Sequence, residues 1–171
     1  MHTRVLIIPG LFNSGPRHWQ TLLEHKYSYC HRIIQDDWSR PDLLSWKRNV
    51  LEVIEGQTAP VVLVAHSFGC LVTASLFAHR NLKIKGALMV APASPAHFNL
   101  VNAMPFEPLP FHSTLVSSRN DDWCASHEAR FWADTWGSEH IDLGEAKHIN
   151  VDAGFGHWPL AEEYIESLVD K

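Results

Sequence analysis

Pro60-Val61-Val62-Leu63-Val64-Ala65 is an unbroken, valine-rich apolar run that ends in His66-Ser67 and is followed by Phe68-Gly69. A strand with one face in water alternates polar and apolar residues, so an uninterrupted run predicts a strand covered on both faces, as in a parallel sheet. From Phe68 the period changes: Leu71, Val72, Leu76 and Phe77 fall at helical spacing as far as His79. Ser67 therefore sits where strand becomes helix.

The rest of the chain alternates in the same way. Val5-Leu6-Ile7-Ile8 reads as a first strand, Pro16 to about His25 as a helix, and Arg32-Ile33-Ile34 as the start of a short second strand. Ser39-Arg40-Pro41-Asp42 has the form of a capping box, with Ser39 at the N-cap and an acid three residues on. Behind it, Leu43, Trp46, Val50, Val53 and Ile54 make an apolar stripe that stops at Gly56. Further strands are expected at Gly86-Ala87-Leu88-Met89-Val90-Ala91, Thr114-Leu115-Val116-Ser117-Ser118 and His140-Ile141-Asp142-Leu143, with helices at Ser126 to Trp136 and Pro159 to Val169. Alternation of this kind predicts an α/β fold: a three-layer α/β/α sandwich on a mainly parallel sheet. The Pro-rich stretch from Pro92 to Pro110 is the one long irregular segment.

Composition narrows the function classes. A chain of 171 residues is most simply a single domain, 1–171, large enough to bury roughly 70% of the surface its unfolded form would expose. Its net charge of −5, with no run of lysine or arginine, carries no footprint for nucleic acid and no basic membrane patch, so neither partner is expected. Only five apolar residues precede Pro9-Gly10, too few for a signal-peptide core, and no segment has the length of a membrane span; a cytoplasmic protein is expected. Cys30, Cys70 and Cys124 are an odd number without CxxC spacing, which points to reduced thiols rather than disulfides or zinc.

In open α/β sheets, ligands bind beyond the carboxyl ends of the strands, and reactive residue types collect there. Ser67 follows the central strand, Asp121 and Asp122 follow the strand at Thr114, and His148 follows the strand at His140. A strand-to-helix turn carrying serine, with glycine two residues on, is the nucleophile elbow, although Ala65 stands where GxSxG has its first glycine. Serine is a weak nucleophile at neutral pH; a histidine must take its proton, and a carboxylate must orient that histidine and stabilise the imidazolium. Ser, Asp, His is the chain order of α/β-hydrolase triads. His148, in the loop Gly144-Glu145-Ala146-Lys147-His148-Ile149-Asn150 before the last helix, is preferred to His157 by that location.

These features resemble a family. Pro9-Gly10-Leu11-Phe12-Asn13-Ser14-Gly15-Pro16 with His18-Trp19, the Ala65-His66-Ser67-Phe68-Gly69 turn, Ser118-Arg119-Asn120-Asp121, and His148-Ile149-Asn150 followed by Gly154-Phe155-Gly156 and Trp158-Pro159 are similar to the small α/β-hydrolases grouped with retinoblastoma-binding protein 9 and the bacterial YdeN-like proteins. The resemblance covers nearly the whole chain. It implies a minimal α/β-hydrolase fold and serine hydrolase chemistry, with the catalytic acid at Asp121, because Asp122 falls where relatives often have proline. It implies the catalytic histidine at His148, preceded here by Lys147 where relatives usually show glycine.

An oxyanion hole needs two backbone amides aimed at the developing charge. Phe68, after the serine, is one candidate; Leu11, in the loop after the first strand, is the other, with Phe12 next to it. That loop lacks both GxGxxG and a P-loop lysine, so nucleotide binding is not expected, nor is any cofactor or metal. Phe12, Asn13, His66, Trp123 and Trp158 are candidate pocket residues, and cover over the site is expected from the Pro92 to Pro110 loop, including Met104 and Phe106. The function expected is hydrolysis of a small acyl ester, thioester or amide by a Ser67-His148-Asp121 relay. The alternative is a protein-interaction module that keeps the hydrolase fold with little or no turnover.

Overall fold

The apolar runs pair into one six-stranded sheet in the order β2-β1-β3-β4-β5-β6, parallel at every described pairing. The computed structural model describes residues 3–169. Its strands are β1 (Arg4–Ile8), β2 (Cys30–Arg32), β3 (Val61–His66), β4 (Ile84–Val90), β5 (Ser113–Ser117) and β6 (Glu139–Asp142). Its helices are α1 (Trp19–Lys26), α2 (Leu43–Glu55), α3 (Phe68–Ala74), α4 (Ser126–Trp136) and α5 (Pro159–Val169).

The strand period of two divides the core between the sheet faces. Leu6, Ile8, Leu63 and Ala65 point to one side, where α2, α3 and α4 bring Trp46, Phe68, Leu71, Trp132 and Trp136. Val5, Ile7, Val62 and Val64 point to the other, where α1 and α5 bring Trp19, Leu23, Ala161 and Ile165. Both faces are covered, which is why β3 carries no polar alternation. The chain leaves β1 outward to β2 and returns across it to β3, so strand order reverses between β1 and β3, and a crevice opens beyond their carboxyl ends.

Several boundaries depart from the sequence reading, each for a local reason. The cap of α2 is Asp42, whose carboxylate accepts the Ser45 amide at 3.1 Å, while the Ser39 hydroxyl donates to Asp37 at 2.7 Å. A carboxylate at an N-cap also meets the positive end of the helix dipole, so Asp42 displaces the capping box. Helix α1 starts at Trp19, after a turn through Pro16, and is capped by His18. Strand β2 ends at Arg32: the Ile33 amide still bonds the Ile7 carbonyl, but Ile34 lies 65% exposed beyond the pairing. Helix α3 tightens at Ser75 into a 3-10 turn, Ser75–Ala78, where the Ser75 hydroxyl bonds back to the Val72 carbonyl at 2.7 Å. The irregular segment holds two 3-10 turns, Pro95–Phe98 and Val101–Ala103.

Helix α3 runs very close to the end of β1. A Cβ on Gly69 would overlap the carbonyl oxygen of Ile8 and come within 2.8 Å of that of Pro9. No flexible side chain can yield there, since both neighbours are backbone. Gly69→Ala is therefore expected to lower unfolding stability by about 3 kcal/mol, the upper range for overpacking, read as a reduced urea midpoint.

Candidate active site

Strand β3 delivers Ser67 at a turn with φ 55° and ψ −121°, outside the regions a non-glycine residue ordinarily occupies. The turn is held from three directions: the Ser67 amide donates to the Val90 carbonyl at 3.0 Å, its carbonyl accepts from Cys70 at 3.0 Å, and α3 is wedged against β1 through Gly69. Gly10 completes the enclosure, because a Cβ there would stand 2.8 Å from the Ser67 Cβ. The strain lifts the side chain off the end of the sheet into the β1–β3 crevice.

There the three chain segments meet. The Ser67 hydroxyl lies 2.9 Å from His148 Nε2, and His148 Nδ1 lies 2.9 and 3.0 Å from the two carboxylate oxygens of Asp121. A carboxylate beside Nδ1 places the ring proton there, which leaves Nε2 as the acceptor for Ser67. The Asp121 side chain is 3% exposed and also accepts the Trp123 amide at 2.9 Å, so it is fixed from a second side. Asp122 is exposed and lines an adjoining groove rather than the crevice of Ser67, while His157 is exposed and paired with Glu162 at 3.1 Å. A hydroxyl, a bare imidazole nitrogen and an orienting carboxylate in one line can move a proton off the hydroxyl as it attacks.

The His148 loop is itself pinned by residues to which sequence analysis gave no such role. His66 Nε2 donates to the His148 carbonyl at 2.9 Å, and the Trp19 indole donates to the next carbonyl, that of Ile149, at 3.0 Å. Asn120 accepts the Lys147 amide at 2.7 Å. These bonds hold Lys147 at φ 50° and Ile149 at φ 47°, the latter β-branched and fully buried. Lys147 is thus held in the left-handed region, with Asn120 bracing it.

The loop after β1 is fastened just as firmly. Arg32 donates to the Asn13 side chain at 2.8 Å, the Ser14 carbonyl at 2.9 Å and Thr21 at 2.7 Å, and pairs with Glu24 at 2.8 Å. Gln20, fully buried, donates to the Val64 carbonyl at 3.1 Å and accepts from Ser14 at 2.6 Å. Phe12 and Asn13 both lie at positive φ. The Phe12 amide donates to the Trp38 carbonyl at 2.8 Å; no described residue accepts from the amides of Leu11 or Phe68.

A match to the family model described as serine hydrolase extends over residues 5–167. The chain belongs to the serine hydrolase family. Among solved structures, it is similar to a putative YdeN-like hydrolase from Pectobacterium atrosepticum, with 32% identity, TM-score 0.93, and 99% of this chain and 91% of that one covered. The ydeN gene product of B. subtilis is 19% identical with TM-score 0.80, covering 99% and 100% of the two chains. A carboxylesterase from Bacillus cereus is 17% identical with TM-score 0.57, covering 86% and 81%. The last two show the α/β-hydrolase fold. No curated protein matches.

Around Ser67 this serine hydrolase has a cleft of about 270 Å³. Of the candidate pocket residues, Phe12, Asn13, His66 and Trp123 line it, together with Leu11, His18, Phe98 and Asn150. Trp158 does not. It is packed in the core under α1, with ring centres 5.2 Å from Trp19 and 5.4 Å from Phe155, because the aromatic surface preceding α5 is buried against that helix. Nor do Met104 and Phe106 cover the cleft: Met104 is buried in the core, and Phe106 packs on Trp132 with 62% of its surface exposed. Phe98, stacked edge-on to Phe68 at 5.0 Å, is what the Pro92 to Pro110 loop contributes. Among the described residues no group of three or more His, Cys, Asp and Glu could hold a metal, and no helix is long and apolar enough to cross a membrane.

Two histidines of the cleft are held neutral. Burial pushes His18 down to about 4, helped by the Arg32 and His148 charges, and burial pushes His66 well below the usual histidine range, helped by His18 and His148. An unfolded histidine takes its proton near pH 6.5. The folded values lie below that, so the stability these residues contribute is complete above about pH 6.5 and is lost as pH falls toward 4. Urea unfolding at pH 5 against pH 7.5 should show a loss of roughly 2 kcal/mol from His18 alone, and more with His66.

Proposed function

We propose that this hydrolase cleaves a small acyl ester, thioester or amide through an acyl-enzyme, with Ser67 as nucleophile, His148 as general base and then acid, and Asp121 as the orienting carboxylate. The observation that carries this reading is the unbroken hydrogen-bonded line from the Ser67 hydroxyl through both nitrogens of His148 to Asp121. As Ser67 Oγ attacks the substrate carbonyl, its proton passes to His148 Nε2, and the imidazolium is stabilised by the carboxylate 2.9 Å from Nδ1. The oxyanion is received by the amides of Leu11 and Phe68. Phe12 is excluded from that role because its amide is bonded to Trp38. The amide of Phe68, at the first position of α3, has no acceptor within its own helix. His148 then gives its proton to the leaving group, and water repeats the sequence to release the acid.

Ester cleavage is the primary reading within this class, since a carboxylesterase is among the proteins of similar fold and the site is an open cleft rather than a closed chamber. The relay needs no metal, so exhaustive chelation is expected to leave ester hydrolysis unchanged. The decisive test is labelling by a fluorophosphonate probe, with loss of label in Ser67→Ala and an unaltered circular dichroism spectrum. Asp121→Asn should lower kcat/KM about 10⁴-fold by releasing His148 from its tautomer, whereas Asp122→Asn should change it less than about threefold. Equal labelling of Ser67→Ala would remove the serine from the mechanism. A folded wild-type protein that neither labels nor turns over any ester would return the chain to the interaction-module reading.

A further inference from the structure

Two buried imidazoles beside Ser67 have one ring nitrogen each that the protein leaves unused. His18 and His66 are each 5% exposed, both line the cleft, and their ring centres are 4.9 Å apart at an interplanar angle of 67°. His18 Nδ1 accepts the Gln20 amide at 3.2 Å as the N-cap of α1. A nitrogen that accepts carries no proton, so the proton of this neutral ring is on Nε2. His66 has the opposite arrangement. Its Nε2 faces the His148 carbonyl at 2.9 Å, and since a carbonyl only accepts, the proton is there and Nδ1 is bare. Among the described residues nothing accepts from His18 Nε2, nothing donates to His66 Nδ1, and no hydrogen bond joins the two rings. The burial that keeps both rings neutral also keeps these two senses fixed across the ordinary pH range.

A donor edge and an acceptor edge on two adjacent rings that line a substrate cleft are not neutral toward what enters. An alkyl group that displaces water from both leaves two polar atoms unsatisfied, which is costly. A hydroxyl replaces the water with one atom, since its oxygen accepts while its proton is given. Beyond His148 an adjoining groove of about 360 Å³ is bounded by Asn120, Asp122, Lys147 and Ala153 and shares Trp123, His148, Asn150 and Asp152 with the cleft. That groove gives a departing alcohol its own exit next to the proton on His148. The compartment containing His18 and His66 is left for the acyl part.

Resting on the acyl-transfer reading above, we infer that the substrate is a short hydroxyacyl compound, whose hydroxyl accepts from His18 Nε2 and donates to His66 Nδ1. His18 and His66 are then specificity-determining residues for that hydroxyl.

Binding to the Ser67→Ala protein measures this without turnover. Calorimetry would compare ethyl butyrate with ethyl 2-hydroxybutyrate, ethyl 3-hydroxybutyrate and 2-hydroxyethyl butyrate. At least one of the two hydroxyacyl esters is expected to bind about tenfold tighter than ethyl butyrate, the gain of one or two net hydrogen bonds. Adding His18→Ser, which keeps a side-chain cap on α1 but has no ring to reach the cleft, should reduce that preference to about one. His18→Asn serves as the second variant should the serine form fold poorly. Equal binding of all four esters overturns the inference, as does tightest binding of 2-hydroxyethyl butyrate or a preference that survives both His18 variants. Fluorophosphonate labelling of the wild type is read separately: a labelled protein indifferent to the hydroxyl sinks only the hydroxyacyl assignment, whereas an unlabelled one sinks the acyl-transfer reading.

Discussion

The contact between Gly69 and the backbone of Ile8 and Pro9 is the constraint on which the site depends. Helix α3 can turn back across β1 only because position 69 has no side chain, and that crossing is what forces Ser67 into a left-handed conformation. A single strained residue costs on the order of 1–3 kcal/mol and persists only where its surroundings leave no alternative. Here the alternatives are closed by Gly10, whose missing Cβ leaves room for the Ser67 side chain, and by the β4 carbonyl of Val90, which takes the Ser67 amide. Ala65 fits the same logic: it is fully buried beneath the crossing, and a methyl group is small enough there.

The second segment of the site is held by a different kind of force. Ser67 is fixed by backbone packing, whereas the His148 loop is held by hydrogen bonds from buried side chains of distant elements. His66 comes from the end of β3 and Trp19 from the start of α1, and they secure two successive carbonyls of a loop 80 residues or more away in sequence, with separations of 82 and 130. Because His66 directly precedes Ser67, one strand end carries both the hydroxyl and the brace for the histidine beside it. A shift of β3 would move both together, which preserves the distance between them.

This difference in forces explains what could be read from the chain and what could not. Strand-helix alternation, the parallel sheet and the turn at Ser67 follow from periodicity and from one glycine, both local signals. Helices α4 and α5 begin and end where their apolar stripes do. The hydrogen-bonded line of Ser67, His148 and Asp121 was legible because each member lies just past a strand, at the edge where such a sheet exposes residues. The braces were not legible in the same way. Gln20 is a polar residue on a buried helix face, and Arg32 a charge inside a short edge strand, and neither breaks a pattern strongly enough to be singled out. His18 and Trp19 stood out as a motif, but their roles depend on long-range partners. Trp158 misled for the converse reason: proximity in sequence to the histidine loop suggested the cleft, while its surface was claimed by Trp19 in the core.

Buried polar side chains in this protein therefore do two jobs with the same atoms. Satisfied on one edge by the backbone, His18 caps a helix and His66 restrains a loop, and each such bond fixes the tautomer of its ring. A fixed tautomer determines what the other edge offers, so structural bonding and chemical recognition cannot be tuned independently at these positions. Replacing either ring to alter what the cleft accepts also alters how α1 begins or how His148 is held. Arg32 extends the coupling further, because the guanidinium that secures the Asn13 side chain and the Ser14 carbonyl is also one of the charges that keeps His18 neutral. The loop bearing the Leu11 amide, the protonation of the cleft and the seat of the His148 loop are in this way parts of one buried polar network, assembled at the point where strand order reverses.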